Sequence, residues 1–126
     1  MDRGSRFATT DGVFDRVGVH PIPAEWWSRR FEYPWAAKFA RLGDHVLDAA
    51  CGIEHCFKFY LADQCSHVEA CDLDGRLAEL PQRENMRYMQ ADITRPLPYR
   101  VGSFDRVFCI SMLEHLPRRI AEERRV

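Results

Sequence analysis

Three aspartates stand at or just beyond short apolar runs. Asp48 lies within His45-Val46-Leu47-Asp48-Ala49, Asp72 closes Val68-Glu69-Ala70-Cys71-Asp72, and Asp92 comes just after Met86-Arg87-Tyr88-Met89-Gln90. A carboxylate in such a place accepts hydrogen bonds from the hydroxyls of a polar ligand. In the turn Ala50-Cys51-Gly52-Ile53-Glu54, Ala50 and Gly52 are small enough to admit a ligand to the backbone, and the helix expected to follow offers free amides. Asp72 lies 20 positions after Gly52, the separation at which an acid commonly accepts both hydroxyls of a ribose. After a fourth apolar run, Ser111-Met112-Leu113-Glu114-His115 adds a carboxylate and an imidazole, the types that serve as general bases. The five cysteines form no C-x-x-C pair, and with His55 and His67 they do not give the two close ligand pairs of a structural zinc site, so no metal is expected.

The elements that must position these groups follow from the spacing. Strands are expected at His45–Ala49, at 68–72, at Met86–Gln90 and at 104–111, alternating with helices at 54–63 and 75–80, the second stopped by Pro81. In the first of these helices Phe57, Tyr60 and Leu61 share a face. Alternation of this kind makes an α/β domain with a parallel sheet, and right-handed crossovers give the strand order 3-2-1-4. Ligands of such sheets bind beyond the carboxyl ends of the strands where the order reverses, which here brings together the turns after Asp48, Asp72, Gln90 and Ile110. Upstream, residues 1–23 read as an irregular arm with a turn near 13–17. The window 25–35 holds Trp26, Trp27, Phe31, Tyr33 and Trp35, with Pro34 placed to open a helix running to about Leu42 before Gly43 stops it. Two regions are therefore expected, an arm with an aromatic helical cap at 1–42 and a ligand-binding half-domain at 43–126. A basic, helical end is expected from Pro117.

The 126 residues, 46% hydrophobic and 29% charged, suit one soluble domain. A net charge of −1 gives no field to hold a polyanion, so nucleic acid is not an expected partner. No apolar run reaches membrane-spanning length and no signal peptide is apparent, so no membrane partner is expected. With unpaired cysteines, a reducing cytoplasm is the expected setting.

Taken together, Asp48 to Glu54, Asp72-Leu73, Asp92-Ile93 and the run from Phe104 to Pro117 resemble the class I S-adenosylmethionine-dependent methyltransferases, over about residues 43–117. The resemblance implies a Rossmann-like three-layer α/β/α fold, S-adenosyl-L-methionine as cofactor and a small-molecule methyl acceptor. Asp48, Ala50, Cys51 and Gly52 would belong to the first donor-binding motif, Asp72 would hold the ribose, Leu73 would neighbour the adenine, and Asp92 and Ile93 would meet its edge. Ser111 would line the reaction crevice, and Glu114 and His115 are the catalytic candidates. Trp26, Trp27, Tyr33 or Trp35 could close over the sulfonium by a cation–π contact, or else anchor a helix to the sheet.

Two departures qualify what is carried over. Ala50 and Glu54 stand where the family more often has glycine, and Glu54 could meet the donor's ammonium or intrude on its carboxylate. The family's sheet has seven strands, whereas this chain holds four, so the fold is expected to be incomplete or truncated. An apolar edge at 107–110 would then be open to a second copy or a partner chain. A catalytically inactive binding or interaction module is the alternative from another class. A nicotinamide-dependent oxidoreductase fits less well, because the turn lacks two glycines of the dinucleotide fingerprint.

Overall fold

The β-branched and apolar run of residues 45–49 has a partner on each side, which is why it reads as almost continuously hydrophobic. In a computed structural model that describes residues 14–26 and 28–110, this run is β3, the inner strand of the sheet. A hairpin of β1 (Arg16–Val17) and β2 (His20–Pro21) precedes α1 (Arg29–Ala37) and β3 (His45–Ala49). Then come α2 (Phe57–Gln64), β4 (His67–Asp72), a single 3-10 turn at Gly75–Glu79, β5 (Met86–Gln90) and β6 (Arg106–Phe108). All pairs in the four-stranded sheet are parallel, in the order β5-β4-β3-β6. This is the expected α/β order 3-2-1-4, and β3 one residue after Asp48, β4 at Asp72 and β5 at Gln90 all end on one side.

Both faces of the sheet are covered. On one, Val46, Val68, Met86 and Phe108 pack with Phe57 and Leu61 of α2 and Tyr33 and Ala36 of α1. Phe57 joins these layers, its ring lying 5.1 Å from Tyr33 and 5.3 Å from Phe108. On the other, Leu47, Ala49 and Cys71 meet Met89 of β5 and Ile93, Leu97 and Phe104 from the β5–β6 connection. Burial on both faces is the condition under which parallel strands are stable. No helix among the described residues is long and apolar enough to cross a membrane.

Five local expectations need correction. First, α1 begins at Arg29 rather than at Pro34, which lies inside it. A proline here leaves the carbonyl four residues earlier without its helical partner. Arg30 O instead receives the amide of Phe14, 3.2 Å away, so a segment distant in sequence satisfies the break. Second, the arm is not wholly irregular, because Gly18 at φ +56° turns β1 into β2. The hairpin fastens to α2 through His20, whose ring nitrogen is 2.7 Å from Asp63 Oδ2, and it buries Val17 and Ile22 in the main core.

Third, α2 starts at Phe57, three residues later than expected, for a reason found in the site itself. Fourth, β6 is shorter than the strand expected at 104–111. Its ladder starts where Val46 pairs with Arg106, because Asp105 is occupied in fixing the strand start: its amide donates to His45 O and its carboxylate accepts from His45 N. Residues 111–126, including the expected basic end, lie outside the described residues. Fifth, the expected helix at 75–80 is present only as the 3-10 turn, held by the Asp74 carboxylate accepting from Arg76 N.

Candidate functional site

The chain between β3 and α2 has to turn sharply at the carboxyl edge of the sheet, and two residues do so with positive φ. Gly52 takes φ +69°, where a Cβ would fall 2.1 Å from His55 Nδ1, so no side chain fits at that position. Ala50 takes φ +55°, the only such non-glycine among the described residues. A Cβ in that region costs about 1–2 kcal/mol, which the surrounding loop must hold in place. The amide of Cys51 continues the ladder by donating to Cys71 O at 2.9 Å.

The loop is held from beneath by Lys58. This side chain is fully buried, and its ammonium donates to the carbonyls of Gly52, Ile53 and His55, at 2.9, 3.2 and 2.5 Å. An ammonium has three donors, and all are used. Three carbonyls that converge on one ammonium do not take the parallel alignment of a helical ladder, so residues 53–56 stay irregular and α2 begins late. Glu54 is exposed on this irregular stretch and does not line the cavity described below, so it is placed neither to meet nor to obstruct a ligand there.

The ends of the strands and this loop enclose a cavity of about 310 Å³, toward the small end of the range for ligand pockets. Asp48, Ala50, Cys51, Gly52, Asp72, Leu73, Asp92 and Ile93 all line it. Ser111, Glu114 and His115 lie outside the described residues. Asp72 is fixed by two amides, Gly52 N on Oδ2 at 2.9 Å and Asp74 N on Oδ1 at 3.0 Å. Each carboxylate oxygen accepts more than one bond, so capacity for further donors is left. Leu73 is 66% exposed, an uncovered apolar side chain at the mouth. Asp92 accepts from Thr94 N and Thr94 Oγ1, bonds that hold its carboxyl below the usual range.

The remaining wall comes from α1 and from His55. Arg29 and Tyr33 line the cavity, and the Arg29 Nε is buried without a partner. The ring of His55 stacks on Trp26 at 4.7 Å, and its buried Nδ1 also has no partner. Burial, with the nearby charges of Arg29 and Lys58, lowers the His55 pKa and favours its neutral form. Trp26 and Tyr33 thus stand at the site, whereas Trp35 packs against Phe39 away from it, and Trp27 lies outside the described residues. Arg29, His55 and Lys58 were not expected at the site, since their placement depends on how α1, the loop and the sheet pack together.

With this geometry the comparison with known families can be placed. A family described as a methyltransferase domain matches residues 47–126, a span that begins within β3 and includes the loop, Asp72 and Asp92. The chain belongs to that family. It is a class I S-adenosylmethionine-dependent methyltransferase-like domain with an incomplete Rossmann-like sheet. No curated protein matches the chain. Arg29 and Tyr33 lie upstream of the matched span, so part of the cavity wall is supplied from outside it.

Two predictions test the electrostatics of this methyltransferase-like domain. Burial pushes Asp48 up to about 7 from an ordinary 3.8, opposed by Lys58 and assisted by Asp72. Between those values the folded chain keeps a proton that the unfolded chain releases, so Asp48 makes stability fall as pH rises from about 4 to about 7. Urea midpoints for Asp48→Asn at pH 5 and pH 7.5 are expected to show a smaller drop than the wild type, and an equal drop would contradict this. Burial likewise lowers the Lys58 pKa. Yet removing its ammonium leaves three carbonyls without a donor, and Lys58→Met is expected to cost about 3–5 kcal/mol of unfolding free energy. A loss below about 1 kcal/mol would show that the loop holds its shape without it.

Proposed function

We propose that the chain binds S-adenosylmethionine in the cavity at the carboxyl edge of the sheet and transfers its methyl group to a small-molecule acceptor. The observation that carries this reading is Asp72, held by two loop amides at the strand end with acceptor capacity to spare, 20 residues after the glycine whose amide it receives. A ribose diol offers two donors to such a carboxylate. Leu73 and Ile93 give apolar surface for a purine, and Asp92 can accept from its exocyclic amine. The unpartnered Nδ1 of His55 and Nε of Arg29 supply polar atoms that a ligand with both donors and acceptors can satisfy.

When bound, the cofactor supplies a sulfonium methyl: the acceptor's lone pair bonds to the methyl carbon, the carbon–sulfur pair returns to sulfur, and a neutral thioether is left. The protein's part is to orient, to exclude water and, for acceptors that must lose a proton, to take it. Covered faces and the α1 wall serve exclusion, and Glu114 and His115 are proposed as the proton-taking groups. In this reading residues 1–42 act as a cap over a donor-binding unit at 43–126, since α1 lends Arg29 and Tyr33 to the wall. The near-neutral charge supports a small acceptor rather than a nucleic acid.

A second reading, an interaction module, is favoured by one feature. Among the described residues β6 is paired on one side only, and Val107 on it is 57% exposed. A second copy pairing there would cover the edge. Sedimentation is then expected to show a concentration-dependent dimer that Val107→Lys abolishes, and a wild-type monomer at all concentrations would remove this reading.

The donor reading is tested by calorimetric titration with S-adenosylmethionine and S-adenosylhomocysteine, with NAD as control. Asp72→Ala is expected to weaken both adenosyl ligands by about 1–3 kcal/mol, the value of a charge-assisted hydrogen bond. Absence of binding by chain shown to be folded by circular dichroism would overturn it.

A further inference from the structure

The glycine at the centre of the loop is covered by the chain itself. Gly52 turns at φ +69°, and a glycine in such a turn ordinarily leaves its backbone bare for a ligand to approach. Here a Cβ on Gly52 would run into Nδ1, Cε1 and Cγ of His55, so the imidazole lies directly on the glycine. Gly52 and His55 both line the cavity, and the ring is one reason why its volume, about 310 Å³, is near the lower end for a ligand pocket.

Two opposing contributions act on the ring. It stacks on Trp26, with centroids 4.7 Å apart and planes 25° from parallel, which favours its place over the glycine. Against this, its Nδ1 is buried there with no hydrogen-bond partner, a loss of the same order as the gain from stacking. Turning the side chain about its own torsions returns Nδ1 to water and requires no movement of the backbone, because Lys58 holds the His55 carbonyl in place. His55 also precedes α2, so no preceding helical turn restricts its rotamer. A side chain held by one stacking contact and opposed by one unpartnered nitrogen has two positions of comparable free energy.

We infer that the His55–Trp26 pair is a gate on this cavity: stacked, the imidazole covers Gly52 and keeps the cavity small, and turned out, it opens the loop backbone to the ligand. This rests on the reading of the cavity as an S-adenosylmethionine site and adds a control of entry to it. Trp26 stands upstream of the matched family span, so the closed position is set by a residue of the arm. A gate of this kind lowers the apparent affinity in proportion to the fraction of chains that are open.

The test is calorimetry with S-adenosylhomocysteine on wild type, His55→Ala and His55→Phe, each shown to be folded by circular dichroism. His55→Ala removes the ring and is expected to bind about 3–10-fold more tightly, the factor by which the closed position holds affinity down. His55→Phe keeps a ring to stack on Trp26 but has no nitrogen to leave unpartnered, so it is expected to bind about 3–10-fold more weakly. Opposite signs are what a gate requires. Weakening by both substitutions would show that the imidazole contacts the ligand and would overturn the gate, as would tightening by both or no change in either. Failure of the donor reading looks different: neither folded wild type nor folded His55→Ala would bind, and the gate would fall with it. Binding by His55→Ala alone would support both.

Discussion

A lysine ammonium buried under a loop is the interaction on which the rest of the site depends. Taking a charge out of water costs several kcal/mol unless its donors are satisfied, and Lys58 satisfies its three on consecutive turns of the loop that follows β3. The same bonds prevent residues 53–56 from joining α2 and carry His55 back over Gly52, where its ring fills the space a Cβ would need. His55 then stacks on Trp26 of the arm. A single side chain that faces away from the ligand thereby sets the shape of the loop, the late start of the helix and the seat of the upstream segment.

From this follows the charge pattern of the cavity. The strand ends contribute acids because each parallel strand stops at the same edge, and the loop contributes carbonyls only to its own interior. Among the described residues that line the cavity, the matched span contributes no lysine or arginine, and α1 contributes Arg29. The arm can do so because Pro34 releases the Arg30 carbonyl to Phe14, and because Val17 and Ile22 of the hairpin region share the core with Phe57. The cap and the sheet are thus one packed unit rather than a lid laid on a finished site.

The sequence announces those parts that depend on short-range pattern. Residues 45–49 and 86–90 form strands at the expected positions because apolar runs of five residues bounded by breaking residues have few other ways to be buried. The strand order follows from crossover handedness, and the convergence of Asp48, Gly52, Asp72 and Asp92 follows from the order. Features set by distant partners are hidden. Nothing in residues 29–37 reveals that the Phe14 amide will donate to the freed Arg30 carbonyl, and the periodicity of 57–64 treats Lys58 as one more polar position. Arg29 and His55 reach the cavity only once arm, loop and sheet are assembled, so residue type and spacing carry no sign of them.

The central claim is that ligand recognition occurs at the carboxyl edge of the sheet, between the Lys58-held loop and α1. Its most direct test is a proton–nitrogen correlation spectrum of labelled chain titrated with S-adenosylhomocysteine. The account predicts that the largest shifts fall on the amides of Gly52, Ile53, Leu73 and Ile93 and on the first turn of α1. Shifts confined instead to Phe39 and Val107, which line a separate groove between α1 and β6, would place recognition there and contradict it.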